Sequence, residues 1–323
     1  MKIKIHQPQG IHEIGGRSNQ EDCIYPPLGQ ATATSRLFVV CDGMGGHAHG
    51  EVASRTVCQA IGESLGGDLA IDAPLDDSRL AAALGYAYQC LDDADEGDVR
   101  QMGTTLTLLA LHRGGATAAH IGDSRIYHIR PAERRIMYRS RDHSLVMELF
   151  QVGEITMRDM ATSPQRNVIT RAMQPGADNR ALPDVVHITD IKAGDCFVLC
   201  SDGITERMPT DEQLLDIVCS DASDEDKRQR LLDATSANRD NHSAYLIHIA
   251  DVEAEPQDAD WVGDETRVRF NLVNMVPALA FGGEVASRYG GSRGGYARIA
   301  RTAGGGQAVE DIDDMPDRQT DNR

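Results

Sequence analysis

The sequence predicts an α+β fold in which antiparallel strands carry the core and helices cover them. Three observations predict it. The segment from Met102 to Arg130 reads as short apolar runs separated by turns, with Gly114-Gly115 as a hairpin signal. That is an antiparallel meander and not a series of βαβ units. The run Phe38-Val39-Val40-Cys41 is short and β-branched, as in a buried strand, and leads through Asp42-Gly43 into apolar positions at helical spacing from Glu51 to Ile61. Further helical patterns span Asp77 to Ala94 and Asp224 to Ser236, and Thr210-Asp211-Glu212-Gln213 opens another with a capping signal.

Taken in order, Lys2-Ile3-Lys4-Ile5 alternates like a strand and has no signal-peptide core. Arg17 follows two glycines and precedes the adjacent acids Glu21 and Asp22; such a stretch is either a polar surface loop or a phosphate-binding Arg beside an acidic site. The strand from Phe38 is expected to stop at Asp42, and the glycines after it permit a sharp turn. Met102 to Leu111 reads as one strand, Ala116 to Ile121 as its return, and Arg125 to Arg130 as a third. A helix starts near Leu145 with Ser144 as N-cap, and Gln151 to Leu182 reads as an irregular insertion. Ser243 to Ile249 is a closing strand, with Asp240 at its margin.

The 323 residues allow one large domain plus an extension, and the boundary is placed at 250. Residues 251–323 form an acidic, Gly-rich tail that reads as disordered, with Leu272 to Phe281 as its one apolar island. A net charge of −18 without a basic block argues against a nucleic-acid partner, and no apolar stretch is long enough to span a membrane. Seven scattered cysteines, without CxxC spacing, read as reduced thiols of a cytoplasmic protein.

Three apolar runs lead into an Asp beside a Gly: Asp42-Gly43, Gly122-Asp123 and Asp202-Gly203. One such pair is an ordinary turn signal. Three at the ends of buried strands can converge into a cluster of like charge, which is unstable unless cations occupy it. A donor set of oxygens alone suits Mg²⁺ or Mn²⁺.

The stretches Arg17-Ser18-Asn19-Gln20-Glu21-Asp22, Asp42-Gly43-Met44-Gly45-Gly46-His47, Met102-Gly103-Thr104-Thr105-Leu106, Ile121-Gly122-Asp123-Ser124-Arg125, Asp142-His143-Ser144, Leu199-Cys200-Ser201-Asp202-Gly203 and Asp240-Asn241 stand in one order. In that order the chain resembles the bacterial PP2C-type (PPM) metal-dependent serine/threonine phosphatases, over residues 1–250. The resemblance implies a β-sandwich of two antiparallel sheets flanked by helices, a four-layer αββα arrangement. It implies that Asp42 bridges two Mn²⁺ or Mg²⁺ ions, that Asp202 and Asp240 complete one metal's ligands, and that the Gly43 carbonyl serves the other. Asp123, with Asp202, would bind a third, weaker metal. Glu21 and Asp22 would hold metal-bound waters, Arg17 would take the substrate phosphate, and the segment from Gln151 to Leu182 would be a flap beside the site.

The implied reaction is hydrolysis of phosphoserine and phosphothreonine in proteins by a metal-activated water, opposing a bacterial Ser/Thr kinase. The expected partners are phosphorylated proteins, among them the kinase and its targets, and the expected state is a monomer. Met44 stands where some members carry a His thought to protonate the leaving group, so the general acid stays open. His47 and His49 read as loop residues, and His112, His120, His143 and His248 as structural. Two other readings fit the same residues: a phosphatase-like regulator that binds phosphoproteins without turnover, and a hydrolase of a small phosphate ester.

Overall fold

A computed structural model describes residues 1–44, 49–66, 75–97, 102–176, 180–208 and 210–253. The stretch 254–323, with the apolar island and the glycine runs, and Gly45, Gly46 and His47 lie outside the described residues.

Twelve strands among the described residues form two antiparallel sheets. In the first, β1 (Lys2–Ile5), β12 (His242–Glu253), β11 (Cys196–Cys200), β8 (Arg125–Arg130) and β9 (Arg135–Arg139) lie in that order, with β2 (Gln9–Glu13) also on β12. In the second, β10 (Asp184–Ile188), β7 (Gly115–Ile121), β6 (Leu106–His112), β4 (Leu37–Met44) and β3 (Asp22–Tyr25) are neighbours, with β5 (Gly103–Thr104) on β4.

The period-2 alternation of side chains sorts each central strand between two cores. Phe38 and Val40 of β4 meet Phe197 and Leu199 of β11 and Tyr245 and Ile247 of β12 between the sheets. The ring of Phe38 meets that of Tyr245 edge-on, at 5.3 Å between centroids. Leu37, Val39 and Cys41 face the other way, onto α1 (His49–Leu65) and α2 (Asp77–Ala94). Cys196, Val198 and Cys200 of β11 turn to the outer face of the first sheet, against α5 (Asp202–Arg207), α6 (Asp211–Val218) and α7 (Asp224–Thr235). Both faces of the central strands are therefore buried, which is why the sequence shows unbroken apolar runs there. The layers are helix, sheet, sheet, helix, the expected four-layer αββα sandwich.

Five readings of the chain are corrected. β4 does not stop at Asp42: Gly43 and Met44 continue it by pairing with Thr104 and Gly103 of β5. The run from Met102 is two strands, broken at Thr105, whose amide donates to the Asp42 carbonyl at 2.9 Å. None of the three acids is the last residue of its strand. Asp42 lies inside β4, Asp123 is two residues past β7, and Asp202 opens α5. The insertion after α3 (Leu145–Gln151) is not wholly irregular, because it holds α4 (Met157–Thr162), closed by a Thr156/Asp159 capping box. β12 runs to Glu253, paired with Lys2, three residues past the expected boundary at 250, because β1 gives those residues a partner.

Candidate active site

The strand registers bring the acids to one end of the sandwich. In the second sheet, the end of β4, the start of β6 and the end of β7 are level, with Val40 opposite Thr107 and Leu106 opposite Ile121. Asp22 stands directly opposite Asp42 across β3 and β4. In the first sheet, Cys200 at the end of β11 pairs with Arg125 at the start of β8 and with Ala244 near the start of β12. Asp42, Asp22 and Asp123 come from one sheet, and Asp202 and Asp240 from the other. The Asp42 and Asp202 carboxyls face each other across the gap and shift one another.

Small hydroxyl side chains hold the acids in place. The Asp42 amide donates to Thr105 Oγ1 at 2.9 Å, and that hydroxyl lies 2.8 Å from Ser124 Oγ. Thr104 Oγ1 donates to the Asp42 carbonyl at 3.0 Å. Ser201 Oγ donates to Asp22 Oδ2 at 2.9 Å and accepts from the Ser243 amide. In the sequence, Ser124 and Ser201 adjoin the acids Asp123 and Asp202, whereas nothing local marks Thr104 and Thr105. Gly43 has to be glycine: a Cβ there would fall 2.6 Å from the Glu21 carbonyl oxygen and collide with Gly50, the second residue of α1.

The field at the site is strongly negative. Burial pushes the Asp42 carboxyl well above the usual carboxylate range, and Asp22, Asp202 and Asp123 add to the shift. Burial likewise raises Asp123 to about 8, with Asp202 and Asp142 next. It raises Asp22 to about 7 against hydrogen bonds from Ser243 and Ser201. Asp202 rises to about 6, through burial and then Asp240. Asp42 and Asp202 are half-buried at their surfaces, so solvent reaches them, yet protein surrounds them closely enough that desolvation dominates. Asp123 Oδ1 is buried with no hydrogen-bond partner. Protons or cations must neutralise such a cluster.

Arg17 joins it from the β2–β3 loop. Its Nη2 donates to Asp240 Oδ2 at 2.7 Å, and its side chain is 52% exposed. Asn241 anchors that loop: its Nδ2 donates to the Ile14 and Asn19 carbonyls, and its Oδ1 accepts from the Glu21 amide. Glu21 contributes to the field at Arg17, and its carbonyl accepts from the Gly43 amide at 3.0 Å. Asp240 Oδ1 accepts from the Asn241 amide at 2.8 Å. All the acids and the arginine expected from the sequence are thus in one place.

The insertion lies beside them. Met173 exchanges two backbone hydrogen bonds with Thr104, and Arg166 comes within 3.9 Å of Glu206 on α5. Val152, Met157 and Val168 in it are exposed.

Met44 ends β4, and His49 is the first residue of α1. His112 lies 2.8 Å from Thr117 Oγ1, and His248 pairs with Asp224. His120, His143 and Asp184 offer ligand atoms within 4.8 Å of one another, the one such group among the described residues. Their bonding argues for a structural relay. The Gly122 amide donates to His143 Nδ1 at 3.1 Å, which leaves the proton of the neutral ring on Nε2, facing Asp184 at 3.4 Å. Arg171 already occupies Asp184 at 3.2 Å. The relay ties the Asp123 turn to the returning end of the insertion through the His143 carbonyl and the Thr170 amide.

Known proteins share this arrangement. The Protein phosphatase 2C family model matches residues 10–235. Protein phosphatase PhpP of Streptococcus pneumoniae is 33% identical over 247 residues, which is 74% of this chain and 95% of that protein. The crystal structure of the Mycobacterium tuberculosis serine/threonine phosphatase PstP/Ppp matches with a TM-score of 0.65 and 29% identity, over 76% of this chain and 99% of that one. The catalytic domain of the serine/threonine protein phosphatase PstP in complex with two manganese ions matches with a TM-score of 0.61 and 28% identity, over 77% and 100% of the two chains. With the sandwich, the converging acids and these matches together, the chain belongs to the protein phosphatase 2C family.

Proposed function

We propose that the carboxylate cluster is the metal centre of a serine/threonine protein phosphatase that hydrolyses phosphoserine and phosphothreonine in proteins. The chain is a metal-dependent phosphatase of the kind its relatives represent, served by Mn²⁺ or Mg²⁺. The observation that carries the site assignment is the gathering of Asp42, Asp22, Asp202 and Asp123, each with its carboxyl pushed upward.

The donor set fits hard divalent cations: it is all oxygen, it carries excess negative charge, and Asp123 offers a buried oxygen that nothing else satisfies. Asp42 would serve both cations, the Gly43 carbonyl one of them, and Asp202 and Asp240 the other. Asp123, with Asp202, would take a third, and Glu21 and Asp22 would hold water at the centre. Bound there, the cations supply Lewis acidity that activates a water at neutral pH and neutralises charge on the phosphoryl oxygens. Asp42 is held on both sides of its peptide by Thr104 and Thr105, so its carboxylate is preorganised. Arg17 receives the phosphate dianion, since its guanidinium keeps a solvent-facing side while Asp240 holds Nη2.

The substrates are phosphorylated proteins, and the enzyme opposes a Ser/Thr kinase as a cytoplasmic monomer. The names of the relatives support the first part. Free cysteines accord with a reducing, cytoplasmic setting.

A phosphothreonine peptide and p-nitrophenyl phosphate, each with Mn²⁺ and with EDTA after dialysis, test this reading. Turnover of the peptide with Mn²⁺ and its loss in EDTA are expected. Full rates in EDTA would refute the metal centre. Binding of the phosphopeptide without turnover would leave a regulator, and turnover of the small ester alone a small-molecule hydrolase.

Arg17→Ala should lower kcat/KM for the peptide about ten- to hundredfold, mostly through KM, because a charge-assisted contact contributes roughly 1.5–3 kcal/mol. Divalent affinity should not fall, because the cation competing for Asp240 has been removed. Arg17→Lys should recover part of the loss. Steady-state kinetics at saturating Mn²⁺, with metal binding followed by calorimetry, decide it; unchanged kcat/KM would take Arg17 out of the site.

A further inference from the structure

Asp123 lies in the short turn between β7 and β8, and both of its chain neighbours are fixed from outside that turn. On one side, Ser124 Oγ is 2.8 Å from Thr105 Oγ1, the hydroxyl that also takes the Asp42 amide. On the other side, both polar groups of the Gly122 backbone end on His143. The Gly122 amide donates to His143 Nδ1 at 3.1 Å, and the His143 amide donates to the Gly122 carbonyl at 2.9 Å. Gly122 stands at φ +104°, and a Cβ there would fall 2.6 Å from Thr105 Cγ2. A glycine so placed has no side chain to restrict it, so its two hydrogen bonds set its conformation.

His143 is itself immobilised. It is 3% exposed, and its ring stacks on that of His120 at 4.6 Å between centroids. The residue before it, Asp142, is gripped by Nε and Nη2 of Arg125 at 2.8 and 2.7 Å. The Ser140 amide donates to the Ile126 carbonyl at 2.9 Å, so residues 140 to 143 run alongside residues 122 to 126. Between these supports Asp123 holds out its buried, unsatisfied Oδ1.

We propose that His143 is a positioning residue for cation binding: its Nδ1, through the Gly122 amide, sets the turn that presents Asp123 to a divalent ion. This role rests on the reading of Asp123 as a cation ligand. Without the acceptor the Gly122 N–H is buried and unpaired, the turn rotates to find a partner, and the Asp123 oxygen must be ordered anew when an ion binds. Partners of this kind behind a metal ligand commonly set metal affinity by about ten- to hundredfold.

Two substitutions separate the acceptor from mere packing. The Oδ1 of an asparagine falls near the place of histidine Nδ1, whereas the amide of a glutamine falls near the place of Nε2. Both lose the stacked ring. The full chain, His143→Asn, His143→Gln and Asp123→Asn are titrated with Mn²⁺ by calorimetry and melted in EDTA. Asp123→Asn should lose the weakest binding step, which identifies it. His143→Gln should weaken that step about tenfold or more and leave the tighter steps as they are. His143→Asn should keep the weakest step close to that of the parent, although it melts as low as His143→Gln. On the Asp123→Asn background, His143→Gln should change none of the remaining steps.

Hydrogen exchange needs no variant. Coupling between ion and turn is reciprocal, so the Gly122 amide of the parent should exchange about tenfold more slowly in saturating Mg²⁺ than in EDTA, beyond any change along β6. A weakest step of parental affinity in His143→Gln, equal weakening in His143→Asn and His143→Gln, or unchanged exchange at Gly122 would each overturn the role of His143. If Asp123→Asn loses no binding step, the reading of Asp123 as a ligand fails, and the role of His143 with it.

Discussion

Asp42→Asn should lower kcat on a phosphothreonine peptide by about a thousandfold or more while leaving the protein folded. The change removes the carboxylate assigned to both cations and replaces it with a neutral amide of nearly the same shape. Lewis-acid stabilisation of the transition state amounts to several kcal/mol, and each ~1.4 kcal/mol lost is tenfold in rate. The fold should survive because the Asp42 backbone, not its carboxyl, makes the bonds to Thr104 and Thr105. Without divalent ions the variant should melt higher than the parent, since one member of a like-charged buried group has been neutralised. Asp202→Asn should behave alike, because Asp202 faces both Asp42 and Asp240. Kinetics, calorimetric titration with Mn²⁺ and thermal melts in EDTA measure these effects. A folded Asp42→Asn protein with parental rate and parental Mn²⁺ binding would overturn the ligand assignment.

Removing divalent ions should invert the dependence of stability on pH near neutrality. In the metal-free protein Asp123 holds its proton up to about 8 and Asp22 to about 7, whereas in the unfolded chain both lose it near the ordinary carboxylate value of 3.8. Between pH 6.5 and 8.5 the native state therefore binds more protons than the unfolded state, and stability falls as pH rises. One excess proton corresponds to about 1.4 kcal/mol per pH unit, so the loss over this interval is on the order of 1–3 kcal/mol. The histidines oppose this trend only at lower pH. Burial holds His112 and His120 near 4, so they resist protonation below the ordinary imidazole value of 6.5 and destabilise the native state there. Below about pH 6.5 the histidines therefore offset part of this slope, and above it the acids act without that opposition. With saturating Mn²⁺ the slope above pH 6.5 should reverse, because cations require the deprotonated carboxylates and stabilise the state they bind. Differential scanning calorimetry with EDTA and with Mn²⁺ at pH 6.5, 7.5 and 8.5 checks this. Equal melting temperatures across that range in EDTA would show that the acids are not coupled as the structure places them.

Local pattern and spacing carried much of this protein. The meander from Met102 to Arg130, the helices at 77–94 and 224–235, and the acids Asp42, Asp123, Asp202 and Asp240 were readable one segment at a time. Such features follow from side-chain periodicity, capping and turn residues, each of which acts over a few neighbours. Errors came where a distant strand supplied the partner. β4 continues past Asp42 because β5 pairs with it, and β12 continues past 250 because β1 does. Thr105, Ser124 and Ser201 carried no visible assignment for the same reason: a hydroxyl gains its role only when a register brings an acid or another hydroxyl within 3 Å.

The sequence by itself determined that apolar strand runs lead into acids beside glycines, because apolar alternation and the residues that break it are local properties. Tertiary structure alone decided which acids share a field. Asp22 and Asp42 are opposite by register, and Asp202 reaches Asp42 from the other sheet. It also set Arg17 on Asp240, a pair separated by 223 residues. Coulomb energy and desolvation depend on distances across the packed sandwich, and spacing along the chain does not encode them.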